Sequence, residues 1–220
     1  MTDLFAPIDI YCERTDASFL SEPLNFCSNI AFVIAGILIL RNIRRTHFKS
    51  KQPGSTFLAW LVIVIGIGSG LFHSVANGWS QWADVLPIAI FVFTYLVLFL
   101  RFTAGVPPLK TAFILASFVV LSTLVAGVSD HQLSNGSEAY FGTWIALFGI
   151  SCFYAGRKQA LNQWRMALAA LTFTLSLFMR TVDLLYCEAW PSGTHVFWHI
   201  LNSIVIYLIT VAYASERSRT

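Results

Sequence analysis

Charged residues are scarce in this sequence. Only 11% of its 220 residues are Asp, Glu, Lys or Arg, whereas 56% are hydrophobic. A soluble domain carries roughly 25% charged residues, so this composition argues against a soluble fold and indicates a membrane protein. The start of the chain also lacks a basic segment followed by a cleavable apolar stretch, because Met1–Glu22 is polar and acidic. We therefore expect no signal peptide.

Two further absences disfavour particular functions. The last apolar run, Val196–Tyr213, contains no lysine, which disfavours a retinal protein with a Schiff base in that run. The sequence Gly68-Ser69-Gly70 is not followed by Gly-Lys-Ser or Gly-Lys-Thr, so it is not a phosphate-binding loop.

Long apolar runs fill the rest of the chain. A run of about 20 apolar residues crosses the ~30 Å hydrocarbon core of a bilayer. Seven runs of roughly this kind predict an all-α integral membrane protein, a seven-transmembrane-helix bundle that forms one domain over residues 1–220. The runs are Pro23–Leu40, Thr56–Phe72, Trp82–Leu100, Leu109–Val128, Tyr140–Tyr154, Met166–Tyr186 and Val196–Tyr213. An N-terminal segment, 1–22, precedes the bundle at 23–213, and a short tail, 214–220, follows it.

The basic residues predict the orientation of this bundle. Twelve of the fourteen lie in alternate connections or in the tail, on one side of the membrane; they are Arg41, Arg44, Arg45, Lys49, Lys51, Arg101, Lys110, Arg157, Lys158, Arg165, Arg217 and Arg219. The exceptions are Arg14 and Arg180. The positive-inside rule places the twelve in the cytoplasm, with the N-terminus outside and the C-terminus inside. The net charge of +3 therefore reflects basic residues on one side of the membrane and does not indicate nucleic-acid binding.

Three of the five histidines converge under this topology. His195 and His199 are four residues apart and share a helix face. His73 ends an outward span, so all three lie at the extracytoplasmic end. Three neutral imidazoles with an open fourth position are the ligands of a catalytic zinc, and such a site in an apolar bundle predicts a hydrolase acting on lipid. His47 and His131 lie in predicted loops and are interpreted as interfacial residues.

Polar residues accompany these histidines at the same depth. Asp84 begins the next inward span, and Ser69 lies one helical turn before His73. Ionisable groups within spans are costly and usually mark function. Asp183 has two open interpretations, a helix-end acid or a residue of the site.

The N-terminal segment is rich in acids. It contains Asp3, Asp9, Glu13, Asp16 and Glu22. Carboxylates at close intervals, together with carbonyl oxygens, are ligands suited to Ca²⁺. A solvated acidic cap is the alternative interpretation of this segment.

Several motifs, in order along nearly the whole chain, resemble those of a known family. They are Tyr11-Cys12-Glu13, Glu22-Pro23-Leu24-Asn25-Phe26-Cys27-Ser28-Asn29, Gly68-Ser69-Gly70-Leu71-Phe72-His73-Ser74, Asp84-Val85-Leu86-Pro87, Asp183-Leu184-Leu185-Tyr186-Cys187-Glu188 and His195-Val196-Phe197-Trp198-His199. The sequence is similar to the alkaline ceramidases, within the seven-helix membrane hydrolase superfamily that includes the adiponectin and progestin receptors.

The resemblance implies roles for individual residues. It implies a zinc site built from Ser69, His73, Asp84, His195 and His199. It also implies calcium ligands at Glu13, Glu22 and, more loosely, Asp9, although the separation of the two glutamates is shorter than in the family. A disulfide between Cys12 and Cys187 is implied as well.

These expectations combine into one mechanism. Zinc-dependent hydrolysis would release a fatty acid and a sphingoid base from a ceramide-like membrane lipid, with Asp84 as general base and Ser69 near the oxyanion. Two alternatives stay open: a hydrolase of another lipid amide or ester, and a non-catalytic heptahelical receptor with a structural zinc.

Overall fold

The described part of the chain is helical. A computed structural model describes residues 3–45, 53–129, 134–157 and 160–216. In these ranges the α-helices are α1 (Pro23–Ser28), α2 (Ile30–Arg45), α3 (Ser55–Val75), α4 (Gly78–Leu98), α5 (Pro108–Val128), α6 (Phe141–Ala155), α7 (Ala160–Val182) and α8 (His195–Ser215). A π-helical turn, Phe99–Thr103, extends α4, and 3-10 turns at Ser137–Tyr140 and Asp183–Tyr186 precede α6 and follow α7. Among the residues described, extended pairing is confined to one isolated bridge between Pro7 and Asn77.

Six helical stretches are long and apolar enough to cross a membrane. They are Pro23–Arg45, Ser55–Val75, Gly78–Thr103, Pro108–Val128, Leu161–Tyr186 and His195–Ser215. Each contains or overlaps one of the predicted runs, so the chain is a multi-pass membrane protein. The remaining run forms α6, which has 15 residues. At 1.5 Å per residue a helix of that length is shorter than the ~30 Å hydrocarbon core.

Some residues used in the sequence analysis lie outside the described ranges. They are His47, Lys49, Lys51, His131, Lys158, Arg217 and Arg219. The described basic residues of the predicted cytoplasmic side lie at the ends of their helices opposite to His73, Asp84 and His195. We call the end that contains these three residues the site end of the bundle.

The helices differ in how deeply they are buried. Helix α3 is the most enclosed of the six spans, and α5 is the least enclosed. Among the described residues of α5, only Thr111 is buried; most of the others are apolar and exposed, although Leu115 and Phe118 pack against the core. Helix α5 is therefore suited to face lipid, whereas α3 places Ser69 and His73 in the centre of the bundle.

A close backbone contact sets the position of α4 against α3. Pro87 lies inside α4 and has no N–H, so it cannot donate to the carbonyl of Ala83 in the preceding turn. That carbonyl points at Gly68 of α3, where an added Cβ would lie 2.0 Å from the Ala83 oxygen. Only glycine permits this approach. The contact places Asp84, the next residue of α4, beside Ser69, the next residue of α3.

The N-terminal segment packs over the site end. The N–H of Ile8 donates to the Ala76 carbonyl at 2.8 Å, and the N–H of Leu20 donates to the Ser74 carbonyl at 2.9 Å. Glu13 accepts hydrogen bonds from the N–H groups of Leu24 and Asn25 at 2.6 and 2.8 Å and so caps the start of α1. These bonds hold the segment against the ends of α1 and α3.

The four cysteines divide into a bonded pair and two free thiols. A disulfide joins Cys12 of the N-terminal segment to Cys187 after α7, across 175 residues of sequence. Because Cys27 and Cys152 lie within predicted spans, buried thiols are the simplest expectation for both. They are instead exposed, because both lie on outward faces of their helices.

The Gly68 contact predicts the effect of a single methyl group. We expect Gly68→Ala to lower stability by about 1–3 kcal/mol, because α4 must move away from α3. Gly149→Ala is the matched control, since no atom lies within 4 Å of the added Cβ at that position. Thermal melts of the purified variants in detergent test this. Equal melting temperatures for the two variants would contradict the close approach.

Candidate metal centre

Three buried imidazoles meet at the site end. His73 lies in the last turn of α3, and His195 and His199 occupy successive turns at the start of α8. One ligand nitrogen from each lies within 4.8 Å of the others. The Nε2 atoms of His73 and His199 are 3.1 Å apart. The predicted convergence of these three histidines is therefore present in the structure.

Hydrogen bonds at the far side of two rings fix their tautomers. The Ser28 hydroxyl donates its single proton to the Asn25 carbonyl at 2.8 Å. It must therefore accept from Nδ1–H of His199, which lies 2.7 Å away. Nδ1 of His73 lies 2.5 Å from a carboxylate oxygen of Glu22 and donates to it. Nε2 of each ring then carries a lone pair, and the two lone pairs face each other. A cation between them would stabilise this arrangement.

The third ring, His195, is held by stacking. Tyr11 of the N-terminal segment lies over it, with ring centroids 3.6 Å apart and planes inclined by 20°. Burial raises the pKa of the Tyr11 phenol above its ordinary value, even though Arg180 opposes the shift, so the phenol is neutral. Nδ1 of His195 is buried and has no hydrogen-bond partner. Each of the three imidazoles has a nitrogen that can act as a metal ligand. This set of ligands fits zinc, which favours nitrogen ligands in tetrahedral sites.

Asp183 sets the start of α8. Its Oδ1 accepts from the N–H groups of Thr194 and His195 at 2.6 and 2.8 Å, and its Oδ2 accepts from the N–H of Cys12 at 3.1 Å. The N–H groups of Thr194 and His195, at the start of α8, have no partner within that helix, so the carboxylate satisfies them. Of its two open interpretations, the geometry supports the helix-end acid, which orients the helix that carries His195.

Asp84 and Ser69 face a cavity beside the histidines. The cavity has a volume of about 160 Å³, and its wall includes Ser69, Asp84, His195 and His199. Ser69 and Asp84 are neighbours in this wall, because α3 and α4 are in backbone contact at Gly68. Oδ1 of Asp84 is buried without a hydrogen-bond partner, so this carboxylate has an oxygen free to take part in chemistry. We call this cavity the outer cavity.

An apolar cavity continues deeper into the bundle. It has a volume of about 90 Å³ and shares Phe32, Tyr140 and Trp198 with the wall of the outer cavity. Its remaining wall is almost entirely aliphatic and aromatic, with Asn202 and Thr143 as polar exceptions. The polar groups of the outer cavity therefore lie next to a space suited to hydrocarbon.

Glu22 links His73 to a buried arginine. One carboxylate oxygen accepts from Nε of Arg14 at 2.6 Å, and the other contacts His73 and also accepts from the Asn25 amide at 3.2 Å. Glu22 and Arg14 are 1% and 5% exposed. Burial alone would raise the pKa of Glu22, but the bonds from His73 and Arg14 outweigh it and hold this pKa below its ordinary value.

The residues predicted to bind calcium do not share a ligand position in this structure. Both oxygens of Glu13 accept from backbone N–H groups of α1, and the oxygens of Glu22 face Arg14, His73 and Asn25. Asp9 is exposed. The Arg14 guanidinium already supplies the positive charge beside Glu22. These residues therefore fit a hydrogen-bonded cap better than a calcium site.

Sequence reasoning did not assign several residues of the centre. Ser28, which orients His199, and Tyr11, which stacks on His195, gave no signal of their own. Arg14 and Arg180 did give one, since they are the two basic residues that break the sided charge pattern. Both are buried at the site end.

Comparison with known proteins identifies the family. A multi-pass membrane protein with a buried three-histidine centre is the class that fold and site define. The Ceramidase family matches residues 8–220, so the chain belongs to that family, and the family resemblance of the sequence is confirmed. The alkaline ceramidase of Drosophila melanogaster is 23% identical over 221 residues, which cover 95% of this chain and 76% of that protein.

A second relative matches over a shorter stretch. It is a provisionally named phosphate permease of Pyrococcus abyssi (strain GE5 / Orsay), 28% identical over 165 residues. The match covers 68% of this chain but 40% of that protein.

The Arg14–Glu22 pair predicts both a stability effect and a calcium response. We expect Arg14→Gln to cost about 3–5 kcal/mol of stability, because it leaves a buried carboxylate without its cation.

We expect excess calcium or a calcium-selective chelator to leave the melting temperature of the unaltered protein unchanged.

Arg157→Gln is the control for the Arg14→Gln variant. Arg157 also pairs with a glutamate, Glu216, but the Arg157 side chain is 18% exposed, so its loss should cost less stability.

A clear rise in melting temperature with calcium would restore the calcium site predicted from Asp9, Glu13 and Glu22.

Proposed function

We propose that this chain is a zinc-dependent membrane hydrolase that cleaves the amide bond of ceramide-like lipids. The products are a free fatty acid and a sphingoid base. The observation that carries the proposal is the convergence of three buried imidazoles beside the outer cavity and Asp84, in a chain of the Ceramidase family. The ceramide substrate rests on the family and on the name of the Drosophila relative.

In this proposal His73, His195 and His199 hold the zinc ion. A zinc ion held there would act as a Lewis acid and would make a bound water nucleophilic at neutral pH. Glu22 and Ser28 keep two of the imidazoles in the tautomer that presents Nε2, through the contacts at 2.5 and 2.7 Å. Tyr11 keeps the third ring in place by stacking.

Asp84 and Ser69 carry the proton chemistry. Asp84 accepts a proton from the attacking water while the oxygen of that water adds to the amide carbon. It then delivers that proton to the leaving nitrogen as the C–N bond breaks. Ser69, in the same cavity wall as Asp84, offers its hydroxyl to the oxygen of the tetrahedral centre. The apolar cavity lined by Phe32 and Trp198 receives hydrocarbon chain.

The proposed topology has seven spans. Helix α6 is the additional span, the N-terminal segment is extracytoplasmic, and the tail at 214–220 is cytoplasmic. The chain is then one membrane domain with its zinc site near the extracytoplasmic face. The sided distribution of basic residues supports this orientation. For Asp9, Glu13 and Glu22 we propose the hydrogen-bonded cap in place of the calcium ion that the family resemblance implies.

The metal prediction concerns identity and ligands together. Purified protein should hold about one zinc per chain, bound through the three histidines. Replacing His73, His195 and His199 by alanine should abolish metal retention, measured by elemental analysis, whereas His47→Ala should leave it unchanged. A folded triple variant that keeps its zinc would place the metal elsewhere.

The catalytic prediction separates metal binding from proton transfer. Asp84→Asn should keep its zinc but lose about 10²–10⁴-fold in turnover. Ser69→Ala should lose less. Mass spectrometry of the lipids converted by each variant, with zinc content measured on the same samples, tests both statements. A near-normal rate for Asp84→Asn would remove Asp84 from catalysis, and a zinc protein without any lipid turnover would favour the receptor alternative.

The topology prediction uses reporter fusions. A reporter active only in the cytoplasm should work after Lys51, Lys158 and Thr220 and should be silent after Asn135, because the positive-inside rule orients the bundle. Activity after Asn135 with silence after Lys51 would reverse the orientation.

A further inference from the structure

Arg180 is a buried cation that the proposed hydrolysis does not use. It lies near the site end of α7, within a membrane span, and its side chain is 9% exposed. A charged group in a span is costly unless it is paired, and for that reason such groups usually mark a functional site.

Among the described residues, no carboxylate is in direct contact with this guanidinium. Nη1 of Arg180 donates to the neutral Tyr11 phenol at 2.8 Å. The guanidinium carbon also lies 5.2–5.5 Å from the ring centroids of Tyr11, Tyr140 and Trp198. Nε has no hydrogen-bond acceptor. The ion pairs formed by the described residues do not include Arg180. Three aromatic rings therefore hold the guanidinium in place, but no carboxylate is in contact with it.

Arg180 belongs to the wall of the outer cavity. Ser69, Asp84, His195 and His199 belong to the same wall, and Asp84 is the only acid among the described residues that line it. When the histidines hold a divalent ion, the positive charge around this cavity exceeds the negative charge. Such a cavity attracts an anion.

We propose that Arg180 forms an oxoanion subsite for the lipid in the outer cavity, a proposal that rests on the lipid hydrolase function. A planar guanidinium binds phosphate, sulfonate or carboxylate oxygens through parallel N–H donors. Two parts of the reaction can supply such a group. One is an acidic head group on the substrate, and the other is the carboxylate of the released fatty acid.

Binding without turnover tests the subsite first. Hexadecyl phosphate, palmitate and hexadecanol share one chain length and differ in the head group. The unaltered protein in neutral lipid nanodiscs should bind the two anions more tightly than the alcohol. Arg180→Gln should weaken the anions by about 10- to 100-fold and leave the alcohol unchanged, because charge-assisted hydrogen bonds are lost. Arg180→Lys should recover part of the difference.

Arg157→Gln controls for the loss of an arginine far from the cavity and should bind all three ligands as the unaltered protein does. Equal binding of the three ligands by the unaltered protein would overturn the proposal, whether or not any variant folds. An equal loss for all three ligands in Arg180→Gln would also overturn it, since that result indicates a structural role.

Turnover then distinguishes the two sources of the anion. A ceramide and its 1-phosphate, with the same acyl chain, differ by one phosphate. A preference for the phosphate that Arg180→Gln removes would assign the subsite to the substrate head group. Equal rates, with inhibition by palmitate that Arg180→Gln relieves, would assign it to the product. If no lipid amide is hydrolysed but the selective loss of anion binding stands, the hydrolase function fails and the subsite does not.

Discussion

The carboxylate of Glu22 connects the N-terminal segment and α1 to His73, which lies 51 residues further along the chain. It contacts the imidazole of His73 on α3, the guanidinium of Arg14 in the N-terminal segment and the amide of Asn25 on α1. All of these contacts lie away from water, where an electrostatic interaction is strong and an unpaired charge is expensive. The orientation of the metal-facing nitrogen of His73 therefore depends on the N-terminal segment being in place.

The same physical constraint explains why Arg14, Glu22, Asp183 and Arg180, all buried, lie near the histidines at the site end of the bundle. An ionisable group among apolar helices is costly unless it has a partner, so such groups occur next to one another. Glu22 has Arg14, and Asp183 has the N–H groups at the start of α8. Asp84 keeps an oxygen without a partner, and no carboxylate among the residues that the structure describes is in contact with Arg180. The fully paired acids support the architecture, and the incompletely paired groups face the cavity where a substrate would lie.

Much of this arrangement could be predicted from the sequence. Apolar runs define the spans, and the alternating direction of the spans determines which residues lie at the same end of the bundle. Apolar runs gave six of the spans, and the alternation of those spans brought His73 to the same end as His195. Tertiary partners were harder to predict. Nothing in local periodicity shows that Ser28 orients His199, or that Glu22 contacts a histidine and an arginine. The outward direction of Cys27 depends on helix rotation, which the seven runs do not determine.

The order of the residues along the chain has a consequence for biosynthesis. Glu22 and Ser28 emerge from the ribosome early, His73 follows, and His195 and His199 arrive with the last helix, α8. The disulfide partner of Cys12 is likewise found only after α7. A nascent or truncated chain thus contains the supporting groups but not the complete set of imidazoles. The three-histidine group is complete only when the final helix is in place, so a chain that ends before α8 contains one of its three imidazoles.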